Sequence, residues 1–545
     1  MGTLLRTTIG DLFDEVTSRL PDREALIDLP RGGRYSYQEL QIVVNRLARG
    51  FLKLGIGKGE HLALWTPNLS ESIITEFAAA KIGAVLMTLD TNAQSQQLEY
   101  LLRQSDSRTL IMSGTNGSGH IEMIRQLCPE AESSAPGKLD CRALPELRRL
   151  IVISDRTHPG MLTWKEVMES GGDVPDALLS ERQGSCHTDD VATLLYTSGT
   201  TGAPKGVMST HFGIINTTLA SAENQRLTEK DRLCLSVPLS HMFGCICVVL
   251  AGMIKGAAVV IPAEAFDPKK VLEAIAAERC TTIYGSPGAF IAMMEEPEYR
   301  KFNLRSLRTG IMGGAQCPLE VMERVAGEMG AKEIVIGYGQ TEASSWITMT
   351  RPDDPLELRV STVGRPLPDV EVKLIDPSSG REVSTGAVGE ICARGFNMKG
   401  YYRMPAATAS AIDSEGWLHT GDLGTTDADG YVRTTGRMKE VIVRGGEAIY
   451  PTEIEEVLFR HPKISNVQIF GVPGGTSGEE VAAWIKLEEG APATEDEILE
   501  YCRAKLPASS LPRYIKFVRE FPMTLLGKAQ KFRMREIAIK EYGLE

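Results

Sequence analysis

The chain has 545 residues, 42% hydrophobic and 24% charged, a globular balance that excludes global disorder. Acids exceed bases by 12 and the pI is near 5.4, which argues against a general nucleic-acid or anionic-membrane binder. Length alone suggests about three or four folding units.

The first residues, MGTLLRTTIGDLFDEV, lack the apolar block of a signal peptide. Arg6 stands where a myristoylation signal needs Ser or Thr. From about Glu60, short apolar runs alternate with amphipathic ones. HLALWTPN reads as a strand, SESIITEFAAAKIG as a helix and AVLMTLD as a strand. The segment Cys128 to Glu146 contains Pro and Ser and reads as a surface loop. Phe243 to Ile254 is the most apolar run, but its 12 residues are too few for a bilayer and fit a buried helix. AAVVIPA, KKVLEAIAAERC, TTIYG, LRTGIMGG, PLEVMERVAGEMG and EIVIGYG continue the alternation. Strand–helix–strand order predicts a parallel sheet covered by helices.

After about Val360 the character changes. VEVKLID, GEICARG, GWLHTGDLG and GYVRTTGR are short β runs between Gly and Asp turns, forming a β unit over about 360–437. Next comes a helix opened by Pro451 with acids in its first turns, then SNVQIFGVP, EVAAWIKLE, DEILEYCRAKLP and YIKFVREFP. The expected fold is α/β. A large N-terminal domain (1–437) has parallel-rich αβ-layered subdomains plus the β unit, and a small mobile α+β C-terminal domain follows (438–545). Ten cysteines are scattered without a CxxC, so reduced thiols in a cytoplasmic protein are expected. Eight histidines without HExxH or paired Cys/His spacing argue against a structural zinc site.

The sharpest motif is Leu194 to Met208, LLYTSGTTGAPKGVM. An apolar run enters Thr197, Ser198, Gly199, Thr200, Thr201, Gly202, Ala203, Pro204, Lys205 and Gly206. Glycines let backbone N–H groups approach phosphate oxygens, the hydroxyls add donors, and Lys205 adds a cation. Pro204 precedes Lys205 and Gly206 follows it, so this is not a Walker A loop. The ten-residue run resembles the phosphate loop of the acyl-adenylate-forming superfamily. That group includes acyl-CoA synthetases, aryl-CoA ligases, firefly luciferase and peptide-synthetase adenylation domains.

Further motifs follow in the superfamily's order up to Lys528. Tyr338-Gly339-Gln340-Thr341-Glu342 resembles its YGxTE motif. By that resemblance Tyr338 stacks on adenine, Thr341 contacts the α-phosphate and Glu342 holds Mg²⁺. A carboxylate beside polyphosphate needs a cation between them. Trp417 to Asp422 resembles W-x-x-T-G-D, which implies that Asp422 accepts from the ribose hydroxyls, with Arg437 as a second ribose contact. Gly313, Gly314, Ala315 and Gln316 would lie along the adenine and one wall of the acyl pocket. Pro238 to His241 resembles P-x-x-H, with His241 lining the passage from nucleotide to acyl group. Pro522 to Lys528 resembles P-x-T-x-x-G-K, with Lys528 the catalytic lysine.

The resemblance implies a two-step reaction. The carboxylate of an acid attacks the α-phosphate of ATP, giving an acyl-adenylate and pyrophosphate. The thiol of coenzyme A then displaces AMP. Lys528 and Mg²⁺ would stabilise the charge at phosphorus. The small domain would turn about Lys439, and Gly445 and Gly446 would approach the pantetheine thiol. Two residues depart from the usual pattern: Ala448 stands where Asn is common, and Leu526 where Thr is.

An amino-acid substrate needs an anion for its ammonium, and Ser236 to Cys247 contains no acid. An apolar acid is expected, medium-chain fatty or alicyclic or aromatic. Met242, Phe243, Gly313, Gly337, Gly339 and Trp346 are candidates for the pocket. Loading of a carrier protein and a non-catalytic nucleotide-binding relative are the alternatives. The expected partners are small molecules, with no nucleic acid and no integral membrane; monomer and homodimer both stay open. Arg503 to Lys540 carries ten Lys/Arg against Glu520 and Glu536, a basic stretch suited in part to ATP and CoA phosphates.

Overall fold

The computed structural model describes residues 4–114, 119–197, 203–315, 317–475, 478–523 and 529–544. Two large sheets dominate. One has nine strands, in the order 365–366, 345–349, 335–340, 309–312, 282–285, 232–234, 258–261, 24–28 and 33–36. The other has eight, in the order 400–401, 205–210, 191–197, 85–88, 61–65, 109–113, 149–153 and 162–163. Their central pairings are parallel, as the alternation predicts; antiparallel strands close both edges of the nine-stranded sheet and one edge of the eight-stranded sheet, whose other edge is parallel.

Period-two alternation sorts the strand residues between layers. Leu62, Leu64 and Ile111 of one sheet share a core with Leu26, Leu233 and Ile311 of the other. Their neighbours Ala63, Trp65 and Leu110 face a second core, and Ile27, Cys234 and Met312 a third. The shared core holds the helix Ser70–Ile82, buried almost all round and stopped by Gly83 at φ 69°. It also holds the predicted apolar helix, which runs as Met242–Gly244, a π-helical stretch Cys245–Leu250 and Ala251–Lys255.

The β unit is a four-stranded antiparallel sheet of Glu371–Ile375, Gly389–Arg394, Leu418–Thr426 and Val432–Arg437. Past Arg437 come the turn Met438–Glu440 and the hairpin Ile442–Arg444 with Glu447–Ile449. A three-stranded sheet follows, with separate apolar clusters on its two faces. The helices Pro451–Phe459 and Glu495–Arg503 cover one face and Lys531–Tyr542 the other.

One expectation is corrected. Cys128 and Cys141 form a disulfide, while the other eight cysteines are free and buried. Thirteen residues of sequence hid the pair, because only the fold of the loop brings them together. That loop is also more anchored than its composition suggests: Ala131, Leu139, Leu144 and Leu147 are buried under the eight-stranded sheet. Among the described residues no helix is long and apolar enough to cross a membrane.

Candidate active site

One group of candidate residues lies at the carboxyl ends of the parallel strands Thr309–Met312 and Val335–Gln340, where open α/β sheets form their binding crevice. Thr309–Met312 delivers Gly313, Gly314 and Ala315; the neighbouring strand Val335–Gln340 carries Tyr338, Gly339 and Gln340 and leads into Thr341 and Glu342. Gly314 has φ 86°, a conformation glycine adopts without strain, and Gly314 and Ala315 are exposed. Thr197 ends the strand Val191–Thr197, and Lys205 opens the strand paired with it. Ser198, Gly199, Thr200, Thr201, Gly202, Gln316 and Lys528 lie outside the described residues.

Tyr338 and Asp422 come from different sheets and meet here. The Tyr338 hydroxyl donates to Asp422 Oδ2 at 2.8 Å, and Arg437 Nε lies 3.3 Å from Asp422 Oδ1. Burial and the adjacent Asp422 charge raise the Tyr338 pKa, so the phenol stays a donor. The β unit makes this possible. Asp422 pairs with Arg437 across its last two strands, and the ladder is irregular between Glu390 and Cys392 opposite Leu423 and His419. That irregularity leaves Thr420, Gly421 and Asp422 unpaired with Gly389–Arg394, while Asp422 keeps its pairing with Arg437 on the other side, a device common beside functional sites. Glu390 supports it from behind: one carboxylate oxygen accepts the Gly421 N–H at 3.1 Å and the other lies 2.9 Å from His419 Nδ1. Cys392 Sγ is 3.7 Å from the same nitrogen.

A second group forms around Glu342, which is buried. Its Oε1 accepts from the Tyr401 hydroxyl at 2.8 Å, and Lys205 Nζ sits 4.4 Å from the Tyr401 ring centroid. Tyr401 arrives because the strand Gly400–Tyr401 pairs with Lys205–Thr210 at the sheet edge. One buried carboxylate, joined to Lys205 through Tyr401, is an oxygen donor of the kind Mg²⁺ takes, together with phosphate oxygens and water. The donor set fits that ion.

The residues expected to line the acyl pocket include an aromatic group. Phe243 meets Trp346 at 5.6 Å and Tyr284 at 6.2 Å between ring centroids, both edge-on. The glycines beneath them leave room for Trp346: a Cβ on Gly337 would sit 2.7 Å from its ring, and one on Gly313 3.7 Å. On Gly339 it would meet the Ser345 carbonyl at 1.8 Å. Met242 is buried in the shared core. His241 is exposed but set among protein, and this desolvation lowers its pKa from 6.5 to about 4. Its Nδ1 accepts the Phe243 N–H at 3.0 Å. The imidazole is therefore neutral near pH 7.

Lys439 is exposed in the turn after Arg437. Gly445 and Gly446 form the tip of a tight hairpin with φ 59° and 86°, which itself calls for glycine. Ala448 is exposed on the returning strand.

Comparison with known proteins accords with this geometry. The model of the AMP-binding enzyme family matches residues 13–402, and that of its C-terminal domain matches 453–528. The chain belongs to the AMP-binding enzyme family. It is 46% identical to the putative acyl-CoA synthetase YngI of Bacillus subtilis, over 100% of this chain and 99% of that one. It is 38% identical to the mitochondrial medium-chain acyl-CoA ligase ACSF2 of Danio rerio, over 99% of this chain and 90% of that one. The anthranilate CoA ligase AuaEII, solved in complex with anthranoyl-AMP, superposes with a TM-score of 0.84 at 25% identity, covering 99% of each chain. The superfamily and fold class expected from the motifs are both borne out.

Several residues of the site escaped the motif reading. Tyr401, Glu390 and Tyr284 lie outside the phosphate-loop and YGxTE runs, and strand pairing alone brings Tyr401 to Glu342. Ser344 and Ser345 have φ 55° and 126°, strained values for serine, directly after Glu342. Gly213 packs against this turn, where a Cβ would lie 2.7 Å from the Ser344 hydroxyl, a contact that only the fold reveals.

Proposed function

We propose that this AMP-binding enzyme is an acyl-CoA synthetase that converts an apolar carboxylic acid to its CoA thioester through an acyl-adenylate. The observation that carries the reading is the joining of Tyr338, Asp422 and Arg437 into one unit beside Glu342 and Lys205. That arrangement suits a nucleotide with its base at Tyr338, its ribose at Asp422 and Arg437, and its phosphates toward Thr341 and the loop from Thr197 to Lys205.

In the first step a carboxylate oxygen of the acid bonds to the α-phosphorus and the bond to the β-phosphate oxygen breaks. Pyrophosphate leaves with that electron pair. The loop's N–H groups and hydroxyls and Lys205 hold the departing pyrophosphate. Lys528 meets the charge gathering at phosphorus. Mg²⁺ bound at Glu342 would offset phosphate charge. Neutral His241 borders the acyl group without adding a charge to it.

In the second step the CoA sulfur bonds to the acyl carbon, the bond from that carbon to the AMP oxygen breaks with its electron pair leaving on AMP, and the thiol proton passes to solvent. We assign residues 438–545 as the unit that turns between the steps, with Lys439 as its hinge. Gly445 and Gly446 then flank the pantetheine. The aromatic lining of Phe243, Trp346 and Tyr284 favours an uncharged acyl group, and we rank medium-chain fatty acids ahead of aromatic ones. The ACSF2 relative, named a medium-chain ligase, supports that order. We place the enzyme in the cytoplasm on its eight free, buried cysteines, against which the Cys128–Cys141 bridge stands.

ATP–pyrophosphate exchange over a panel of acids tests the first step. AMP release with CoA, set against release with a carrier protein, tests the second. Exchange with apolar acids and release with CoA are expected. Absence of exchange with every acid would overturn the reading.

A further inference from the structure

A single ammonium joins three parts of the small C-terminal unit. Lys531 Nζ lies 2.8 Å from Glu455 Oε1 and 3.6 Å from Glu440 Oε2. All three are shielded, with side-chain exposures of 15% for Lys531, 10% for Glu455 and 27% for Glu440. Glu455 Oε1 also accepts the Ile469 N–H at 2.8 Å, which ties the cluster to the central sheet. A buried charge survives only with partners, and here the two carboxylates outweigh burial and raise the lysine pKa.

The position of each member matters. Glu440 immediately follows Lys439 in the turn Met438–Glu440. Lys531 opens the last helix, three residues beyond Lys528. The residues between are pinned at their base: Met523 bridges Ala529, and the Gln530 N–H donates to the Pro522 carbonyl at 2.8 Å. The chain just past the hinge is thus linked through one side chain to the paired residues Pro522–Met523 and Ala529–Gln530, which stand on either side of 524–528. The Gly445–Gly446 hairpin shares one anchor with the last helix, since the Val443 N–H donates to Glu479 at 3.3 Å and Arg535 pairs with the same carboxylate, and it has further anchors of its own. Arg444 lies 2.9 Å from Glu480 and donates to the Ser509 and Leu511 carbonyls at 3.0 and 3.2 Å.

We infer that Lys531 is a positioning residue which, through Glu440, ties the residues flanking Lys528 in sequence to the hinge, so that adenylation depends on this link. The inference rests on the function proposed above. It separates the half-reactions: loosening the Glu440 link degrades adenylation, whereas the hairpin used in thioester formation keeps its Arg444 contacts to Glu480, Ser509 and Leu511.

Glu440→Gln is the direct test, because it detaches the hinge and leaves the closer Lys531–Glu455 pair. Pyrophosphate exchange should fall about tenfold in kcat, while the KM for ATP stays within about twofold. Thioester formation from the supplied acyl-adenylate of the best acid should stay within about twofold, and the unfolding midpoint within about 2 °C. The double variant Lys531→Met with Glu455→Gln, which removes the inner charge pair together, should show the same split. Lys531→Arg should restore most of the rate. A merely structural charge cluster would lower both half-reactions alike, in step with stability; that result, or unchanged adenylation in Glu440→Gln, overturns the inference alone. A wild-type enzyme without exchange for any acid overturns the functional reading and this inference with it.

Discussion

The Tyr338 hydroxyl and the Asp422 carboxylate are bonded at 2.8 Å although 84 residues separate them. This bond joins the end of the nine-stranded sheet to the β unit. Tyr338→Phe keeps the ring and removes the bond. The KM for ATP should rise roughly tenfold, the worth of a hydrogen bond to a charged group, with a smaller change in kcat. Pyrophosphate exchange against ATP concentration measures it, and an unchanged KM would separate the bond from nucleotide binding.

Trp346 covers Gly337 and Gly313 at the aromatic end of the site. Trp346→Ala should move preference toward longer or bulkier acids by about 10- to 100-fold in relative kcat/KM. It should also cost about 3 kcal/mol of stability, because the ring is buried. Gly337→Ala should act the other way and lower kcat/KM for every acid, since its Cβ would meet the indole. A competition assay across chain lengths reads both.

Lys528 and Lys439 should separate the two steps. Lys528→Ala should lower pyrophosphate exchange by about 100-fold or more and leave ATP affinity nearly unchanged. Lys439→Pro should keep exchange and slow thioester formation. Equal loss of both steps in the second variant would remove Lys439 from the hinge.

Two buried groups set opposite pH trends in stability. Burial lowers the His211 pKa from 6.5 to about 4, and its Nδ1 accepts the Ile9 N–H. Between those values the unfolded chain holds the proton and the folded chain does not. Stability is therefore full above pH 6.5 and lost as pH falls toward 4. His211→Asn should flatten the acid limb of the unfolding midpoint.

Glu76 lies in the helix Ser70–Ile82, and burial raises its pKa from 4.5 to about 8. Here the folded chain keeps the proton, so stability is lost as pH rises from 4.5 through 8. Glu76→Gln should raise the unfolding midpoint at pH 8 and change it little at pH 4.5. Thermal melts across that range check both variants.

Much of this molecule was legible before folding was considered. Strand–helix alternation carries the layered parallel sheets, because burial on both faces leaves near-continuous apolar runs such as AVVIPA. The motifs around Lys205, Tyr338 and Asp422 carry the family, because close approach to phosphate and ribose restricts which residues fit. The acidic whole-chain charge hid a basic C-terminal stretch, and Lys531 within it is committed to Glu455 and Glu440.

Other features belong to the tertiary structure alone. The Cys128–Cys141 bridge, the stacking of Lys205 on Tyr401, the Tyr338–Asp422 bond and the Glu390 support of Gly421 join residues far apart in sequence. Local pattern reports which face a side chain takes. It carries no record of which distant strand becomes the neighbour, since that depends on sheet order and register. The chain by itself determined the chemistry the site could perform; pairing across the sheets decided which side chains hold that site in place.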